Sequence, residues 1–254
     1  MKALELEIKA CAGEYSDYAI KAVKISGGMG TLIDGRDLER LFRLLRDSFV
    51  FSQPYITLTV SPFGISGDRT TSYRRIGVSL YDLEFITLND EDCMRYGFVD
   101  PTDALAYTLP MLHALEENNT GAIVLIGEKE MRPVSLKKTL RSLALAPISH
   151  ITLQACVGAL AGSNTQLQDN LKTARAVLCE YNFSEYLPMH FSRNSVEDMT
   201  ARMKDESCDI LAFGLGAESR IDGVISRVTN DLDRYLQYSG DFQSIVETVE
   251  AMPQ

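Results

Sequence analysis

Cysteine carries the richest chemistry available to this chain, and its placement limits that chemistry. Cys11, Cys93, Cys156, Cys179 and Cys208 never lie closer than 23 positions. An iron–sulfur cluster needs several thiolates converging from one loop, which shows in sequence as tightly spaced Cys. No such loop exists here. No Ser–His–Asp order, metal-ligand spacing or phosphate loop stands out either. The remaining candidates are glycines and polar groups near strand ends. Gly27 and Gly28 either make a strand-to-helix turn or let backbone amides approach a ligand. Tyr81 and Asp82 either line a pocket at a strand end or are ordinary loop residues. Gly214 and Gly216 either allow close packing of a turn or touch a ligand. His150 opens a strand and His190 lies within 186–192; both read as structural, as does His113 on a helix. Cys156, inside an apolar run, reads as a small buried hydrophobe, and Glu128-Lys129-Glu130 as a solvated loop.

The elements that must position these residues alternate regularly. Apolar runs at 19–25, 55–60, 76–80, 122–126, 151–157 and 210–215 read as strands, several nearly continuous, as suits parallel strands covered on both faces. Between them lie helical stripes. Leu38, Leu41, Phe42 and Leu45 form one, with Asp34 as N-cap; Leu136, Leu140 and Leu143 form another; Leu167, Leu171, Ala174 and Leu178 a third. Such alternation predicts right-handed βαβ units and an α/β fold. Leu4, Ile8 and Cys11 share a helical face, so the chain opens with a helix. Pro110 breaks or kinks the helix expected at 103–117. Lys21 and Lys24 on the first strand are a common device for blunting an exposed sheet edge. No Pro-, Gly- or Ser-rich linker divides the chain, so residues 1–254 read as one domain.

Composition excludes some partners. A net charge of −10 argues against nucleic acid, which requires a basic footprint, and disfavours an anionic membrane surface. The N-terminal residues interrupt their apolar character with charge, so no signal peptide is read. The run at 122–126 is too short to span a bilayer. Scattered cysteines fit a reducing, cytoplasmic setting.

Six segments in order carry a resemblance. They are Ala22-Val23-Lys24-Ile25-Ser26-Gly27-Gly28-Met29-Gly30-Thr31; Tyr55-Ile56-Thr57-Leu58-Thr59-Val60-Ser61-Pro62; Arg75-Ile76-Gly77-Val78-Ser79-Leu80-Tyr81-Asp82; Ala122-Ile123-Val124-Leu125-Ile126-Gly127; His150-Ile151-Thr152-Leu153; and Gly214-Leu215-Gly216-Ala217-Glu218-Ser219, followed by Asn230-Asp231-Leu232-Asp233-Arg234-Tyr235-Leu236. Together they resemble the oxygen-independent coproporphyrinogen III oxidase family of radical S-adenosylmethionine proteins. The resemblance implies a truncated partial (β/α) barrel, mostly parallel and open at one edge, with its pocket at the C-terminal ends of the strands. The family's first strand and Cys-x3-Cys-x2-Cys loop would lie before Met1, and its winged extension after Gln254.

Departures inside the chain weaken the implied cofactor site. The family's cofactor-binding carboxylate corresponds to Thr59, its strand-end Gln to Tyr81, its Asp to Val124, and its Gly-Leu-Pro turn to Gly127-Glu128-Lys129. The Gly-Gly-Gly-Thr-Pro segment is Ser26-Gly27-Gly28-Met29-Gly30. Each lost hydrogen-bond partner costs roughly 1–3 kcal/mol, and about 1.4 kcal/mol is tenfold in affinity. The expectation is therefore a degenerate relative with no 4Fe–4S cluster and weakened S-adenosylmethionine binding. Its residual role would be binding of a nucleoside or tetrapyrrole-like molecule, or a protein interaction. The open edge predicts self-association or a protein partner. The alternative is a fragment of an active oxidoreductase of haem metabolism whose cysteine-bearing N-terminus lies upstream.

Overall fold

A computed structural model of the chain describes residues 1–27, 33–61, 67–85, 87–88, 92, 106, 110, 120–206 and 208–251. Gly28, Cys93, His113 and most of the helix expected at 103–117 fall outside these. In chain order the elements are α1 (Lys2–Tyr15), β1 (Ala19–Ile25), α2 (Gly35–Ser48), β2 (Val50–Val60), α3 (Gly67–Ile76), β3 (Leu80–Phe85), β4 (Thr120–Ile126), α4 (Pro133–Leu145), β5 (His150–Ala155), α5 (Asn164–Glu180), β6 (Ser184–Leu187), β7 (His190–Ser192), α6 (Met199–Asp205), β8 (Glu218–Ile221), β9 (Val224–Val228), α7 (Leu232–Tyr238), α8 (Phe242–Ile245) and β10 (Val246–Ala251). They fall into two compact units. The first comprises Met1–Val23, Arg36–Pro54 and Thr200–Gln254; the second comprises Lys24–Gly35 and Tyr55–Met199.

The second unit is built on the expected α/β plan. Seven strands follow the order β1-β2-β3-β4-β5-β7-β6. β2 to β5 pair in parallel, and β7 and β6 add antiparallel. The result is an open, mostly parallel half-barrel sheet, with β1 at one edge as its lysines led us to expect. Alternate residues sort to two faces. Tyr81, Leu83, Phe85, Ala122, Val124, Ile126, Ile151 and Leu153 are buried, and Tyr81 packs its ring 6.1 Å from that of Tyr73 on α3. This face carries the helices. Leu136, Leu140 and Leu143 of α4 and Leu171, Ala174 and Leu178 of α5 are buried as their spacing requires.

Several boundaries differ from expectation. The run at 76–80 is not a strand: α3 extends to Ile76, and Gly77 donates to the carbonyl of Tyr73 in a helix-terminating turn. β3 begins at Leu80, so Tyr81 is its second residue and not its end. Residues 186–192 contribute to a hairpin of β6 and β7. β5 ends at Ala155, leaving Cys156 half-buried beyond the strand. Residues 210–215 form no strand; Ile210 makes an isolated bridge with Arg220.

The first unit combines α1 with the antiparallel sheet β10-β9-β8. Ala3, Val228, Tyr235 and Ile245 form a small core there, with Ala217 and Phe242 packed against it. The opening helix is present, and besides Ile8 and Cys11 it buries Glu7. No helix among the described residues is long and apolar enough to cross a membrane.

Candidate functional site

Strand register assembles a polar row on the face of the second unit opposite its helices. Thr59 pairs with Asp82, Asp82 with Gly121, Gly121 with His150, and His150 with Ser192. The row crosses the sheet obliquely. Thr59 is near the end of β2, whereas His150 is the first residue of β5. Strands that tilt and shear in this way are how a sheet curls toward a barrel. The row above continues Glu84, Ile123, Thr152 and His190.

Gly121 makes the row work. A Cβ at that position would collide with Asp82 Oδ1 and sit 3.3 Å from His150 Nδ1. The missing side chain is the space through which Asp82 and His150 face each other, 3.7 Å apart between Oδ1 and Nδ1. Both side chains are fully buried. On its other side, Asp82 Oδ2 lies 3.9 Å from Lys24 Nζ. Neither Asp82 oxygen has a hydrogen bond among the described residues. The carboxylate is held by charge at near-contact distance.

The circuit closes through the segment after β7. Lys24 Nζ donates to Asp198 Oδ2 at 3.4 Å, and Thr57 Oγ1 donates to Asp198 Oδ1 at 2.9 Å. The Asp198 N–H donates to Tyr186 Oη at 3.0 Å, and Tyr186 Oη lies 2.9 Å from His150 Nε2. Lys24, Asp82, His150, Tyr186 and Asp198 thus form a ring of mutually facing groups. Burial, then the nearby Asp198 and Asp82 carboxylates, raises the Tyr55 phenol. Burial also raises Tyr186, against the hydrogen bond from Asp198; neither is a ready acid. His190, whose Nδ1 lies 3.2 Å from Thr152 Oγ1, is pushed down to about 4 by burial and then by His150 and Lys24. It is neutral at pH 7.

Of the residues singled out in the sequence, Asp82 and His150 lie at the centre of this circuit. Thr59 lies in the same row, with its Oγ1 buried and without a hydrogen bond among the described residues. Tyr81 and Val124 turn instead to the helix side, so neither lines the concave face. Gly27 lies exposed beyond the end of β1. Glu128 corrects the solvated-loop reading. It is buried, its carboxylate accepts from the Glu130 N–H at 3.0 Å, and its carbonyl accepts from Gln166 Nε2 at 2.7 Å. Lys24, Tyr186 and Asp198 were missed because only the fold juxtaposes them.

Gly214 and Gly216 belong to the first unit, both with positive φ. Gly216 has φ +69°, and a Cβ there would strike Asn230 Oδ1. The Gly214 N–H donates to Glu7 Oε2 at 2.9 Å, and Tyr235 Oη donates to the same oxygen at 2.6 Å. Burial raises the Glu7 carboxyl, against the lowering effect of these two bonds.

No protein-family profile and no curated protein sequence matches the chain. Solved structures do. Coproporphyrinogen III oxidase (HemN) from Escherichia coli, a radical S-adenosylmethionine enzyme, superposes with a TM-score of 0.82 at 20% identity, over 99% of this chain and 64% of that one. The radical S-adenosylmethionine methyltransferase TsrM from Kitasatospora setae overlaps far less, at a TM-score of 0.41 and 9% identity over 59% of this chain and 29% of that one. The first likeness establishes the fold as the partial barrel that the resemblance implied. This chain spans under two thirds of that enzyme's length.

The family resemblance, not the fold alone, implies thiolates for a cluster. The described thiols do not fit one. The second unit offers Cys156 beyond β5 and Cys179 near the end of α5; the first offers Cys11 and Cys208. Burial and nearby carboxylates push the Cys11 thiol up to about 12, and burial raises Cys156 as well. Among the described residues no group of three or more His, Cys, Asp and Glu is placed to hold a metal. Of the positions expected to receive S-adenosylmethionine, Thr59 and Asp82 pair on one face of the sheet and Tyr81 turns to the other.

Proposed function

We propose that this chain is a non-radical protein on the radical S-adenosylmethionine fold, and that the concave face of its second unit binds a small polar ligand. The observation that carries this reading is the closed circuit of Lys24, Asp82, His150, Tyr186 and Asp198. Its groups are spent on one another, which leaves none of them aimed at a bound cofactor. Around the circuit, Glu84 and Gln154 are exposed while Thr152, Tyr186 and His190 are half-buried. These groups supply donors and acceptors for a nucleoside or tetrapyrrole-like ligand without a nucleophile or a cluster. Anaerobic reconstitution of the purified chain with iron and sulfide tests the non-radical part. The expected result is no stoichiometric cluster by absorbance or electron paramagnetic resonance. A stable cluster at one per chain would overturn it.

A second reading is favoured by one observation, the cover of 99% of this chain against 64% of the Escherichia coli enzyme. On that reading the chain is part of a longer, active oxidoreductase of haem metabolism. Intact mass of the native protein from its source cell separates the two. A longer species carrying clustered cysteines supports the second.

A further inference from the structure

We infer that the concave face of the second unit takes a ligand in which a primary ammonium and a planar aromatic ring are joined by an alkyl segment. Glu84 receives the ammonium, and Tyr186 and His190 receive the ring. The inference deepens the ligand reading above and rests on it. It starts in the row of side chains beside the closed circuit. Register places Glu84 of β3 next to Ile123 of β4, Ile123 next to Thr152 of β5, and Thr152 next to His190 of β7. Glu84 shares the face of Asp82, two positions earlier on the same strand.

Unlike the circuit, this row is not spent on itself. Glu84 is exposed, and among the described residues no hydrogen bond or ion pair engages it. Partial burial raises its carboxyl, and no cation or donor counters that effect. A carboxylate partly withdrawn from water and served by no protein donor gains from an incoming ammonium. Beside it, Ile123 is buried and Leu125, which pairs with Gln154, is half-buried. These two give an apolar floor suited to methylenes. The floor ends at a corner of two half-buried rings, Tyr186 and His190, with centroids 6.0 Å apart and planes inclined by 56°. His150 backs the corner, 5.7 Å from the Tyr186 ring and 5.9 Å from that of His190. From β3 to β7 there are three strand spacings of about 4.8 Å, hence about 14 Å across a flat sheet and less across a concave one. A hexyl chain bridges that span and an ethyl chain does not.

Fluorescence titration of the purified chain with aminohexyl naphthalenesulfonamide tests this, beside the hydroxyhexyl and aminoethyl counterparts. The aminohexyl compound should bind about fivefold more tightly than the hydroxyhexyl one, the upper end for a solvent-facing ion pair. Glu84→Gln, at an exposed position, should abolish that preference and leave binding of the hydroxyhexyl compound unchanged. His190→Gln should weaken both hexyl compounds about threefold, the worth of one ring contact. The aminoethyl compound should gain nothing from Glu84. Saturable binding without an ammonium preference, or a preference that survives Glu84→Gln or is shared by the aminoethyl compound, overturns the inference and leaves the face a ligand site of another kind. No saturable binding of any of the three compounds overturns both the inference and the ligand reading on which it rests.

Discussion

At the scale of the residue, the account turns on Gly121. Any side chain there meets Asp82 Oδ1 before it meets anything that can yield. Gly121→Ala should therefore cost about 3 kcal/mol, at the upper end for overpacking because it also parts a buried charge from its partner. Asp82→Ala removes the obstructed group, so the double variant should fall short of the sum of the two single costs by about 1 kcal/mol or more in urea unfolding. Additive costs would mean that Asp82 does not occupy that space. His190 carries a second prediction. Its folded value is about 4 against an ordinary 6.5, so between these values the unfolded chain binds the extra proton. Stability present above pH 6.5 is then lost as pH falls toward 4. His190→Gln should flatten that part of the pH profile; an unchanged slope would place the titration elsewhere. Asp82 and His150 stood out in the sequence as polar residues beside apolar runs. Gly121 did not, because inside Thr120-Gly121-Ala122-Ile123 it looks like any strand glycine. Only register reveals that it lies between them.

At the scale of the element, the helices were legible because their apolar stripes face a sheet, as Leu136, Leu140 and Leu143 do in α4. Strand limits were harder. Ile76-Gly77-Val78-Ser79-Leu80 alternates like a strand, but Gly77 is the stop signal of α3, and three residues of connection precede β3. The partners of Tyr81 were misplaced for the same reason: a shift of one residue moves a side chain to the opposite face. Thr59 and Asp82 share the concave face, whereas Tyr81 does not. Helix α1 shows the converse error. Glu7 looked like a charge breaking an apolar run, yet it anchors the turn at Gly214 and the hydroxyl of Tyr235 in the first unit. Glu7→Ala should cost about 3 kcal/mol by orphaning both donors. Glu7→Gln, which mimics the neutral acid, should retain most of that stability in thermal unfolding at pH 7. Equal losses in the two variants would show that the oxygen at this position is not what holds the turn.

At the scale of the whole molecule, the order of elements was the legible part and chemical function the illegible part. Alternating apolar runs and helical stripes specify an open α/β sheet, because each must bury one face. Function depends on which side chains converge, and Lys24, Asp82, His150, Tyr186 and Asp198 span more than 170 positions of sequence. The edge strand β1 offers a ladder for pairing, and we expect light scattering to show a mass that rises with concentration; a constant monomer mass would remove self-association from the account. The central claim is that the polar groups of the concave face are spent on one another and not on the cofactor of a radical enzyme. Calorimetric titration of the purified chain with S-adenosylmethionine, beside S-adenosylhomocysteine, tests it most directly. The account predicts no saturable heat for either compound at high ligand concentration. Micromolar binding of S-adenosylmethionine would contradict it and restore the cofactor to this barrel.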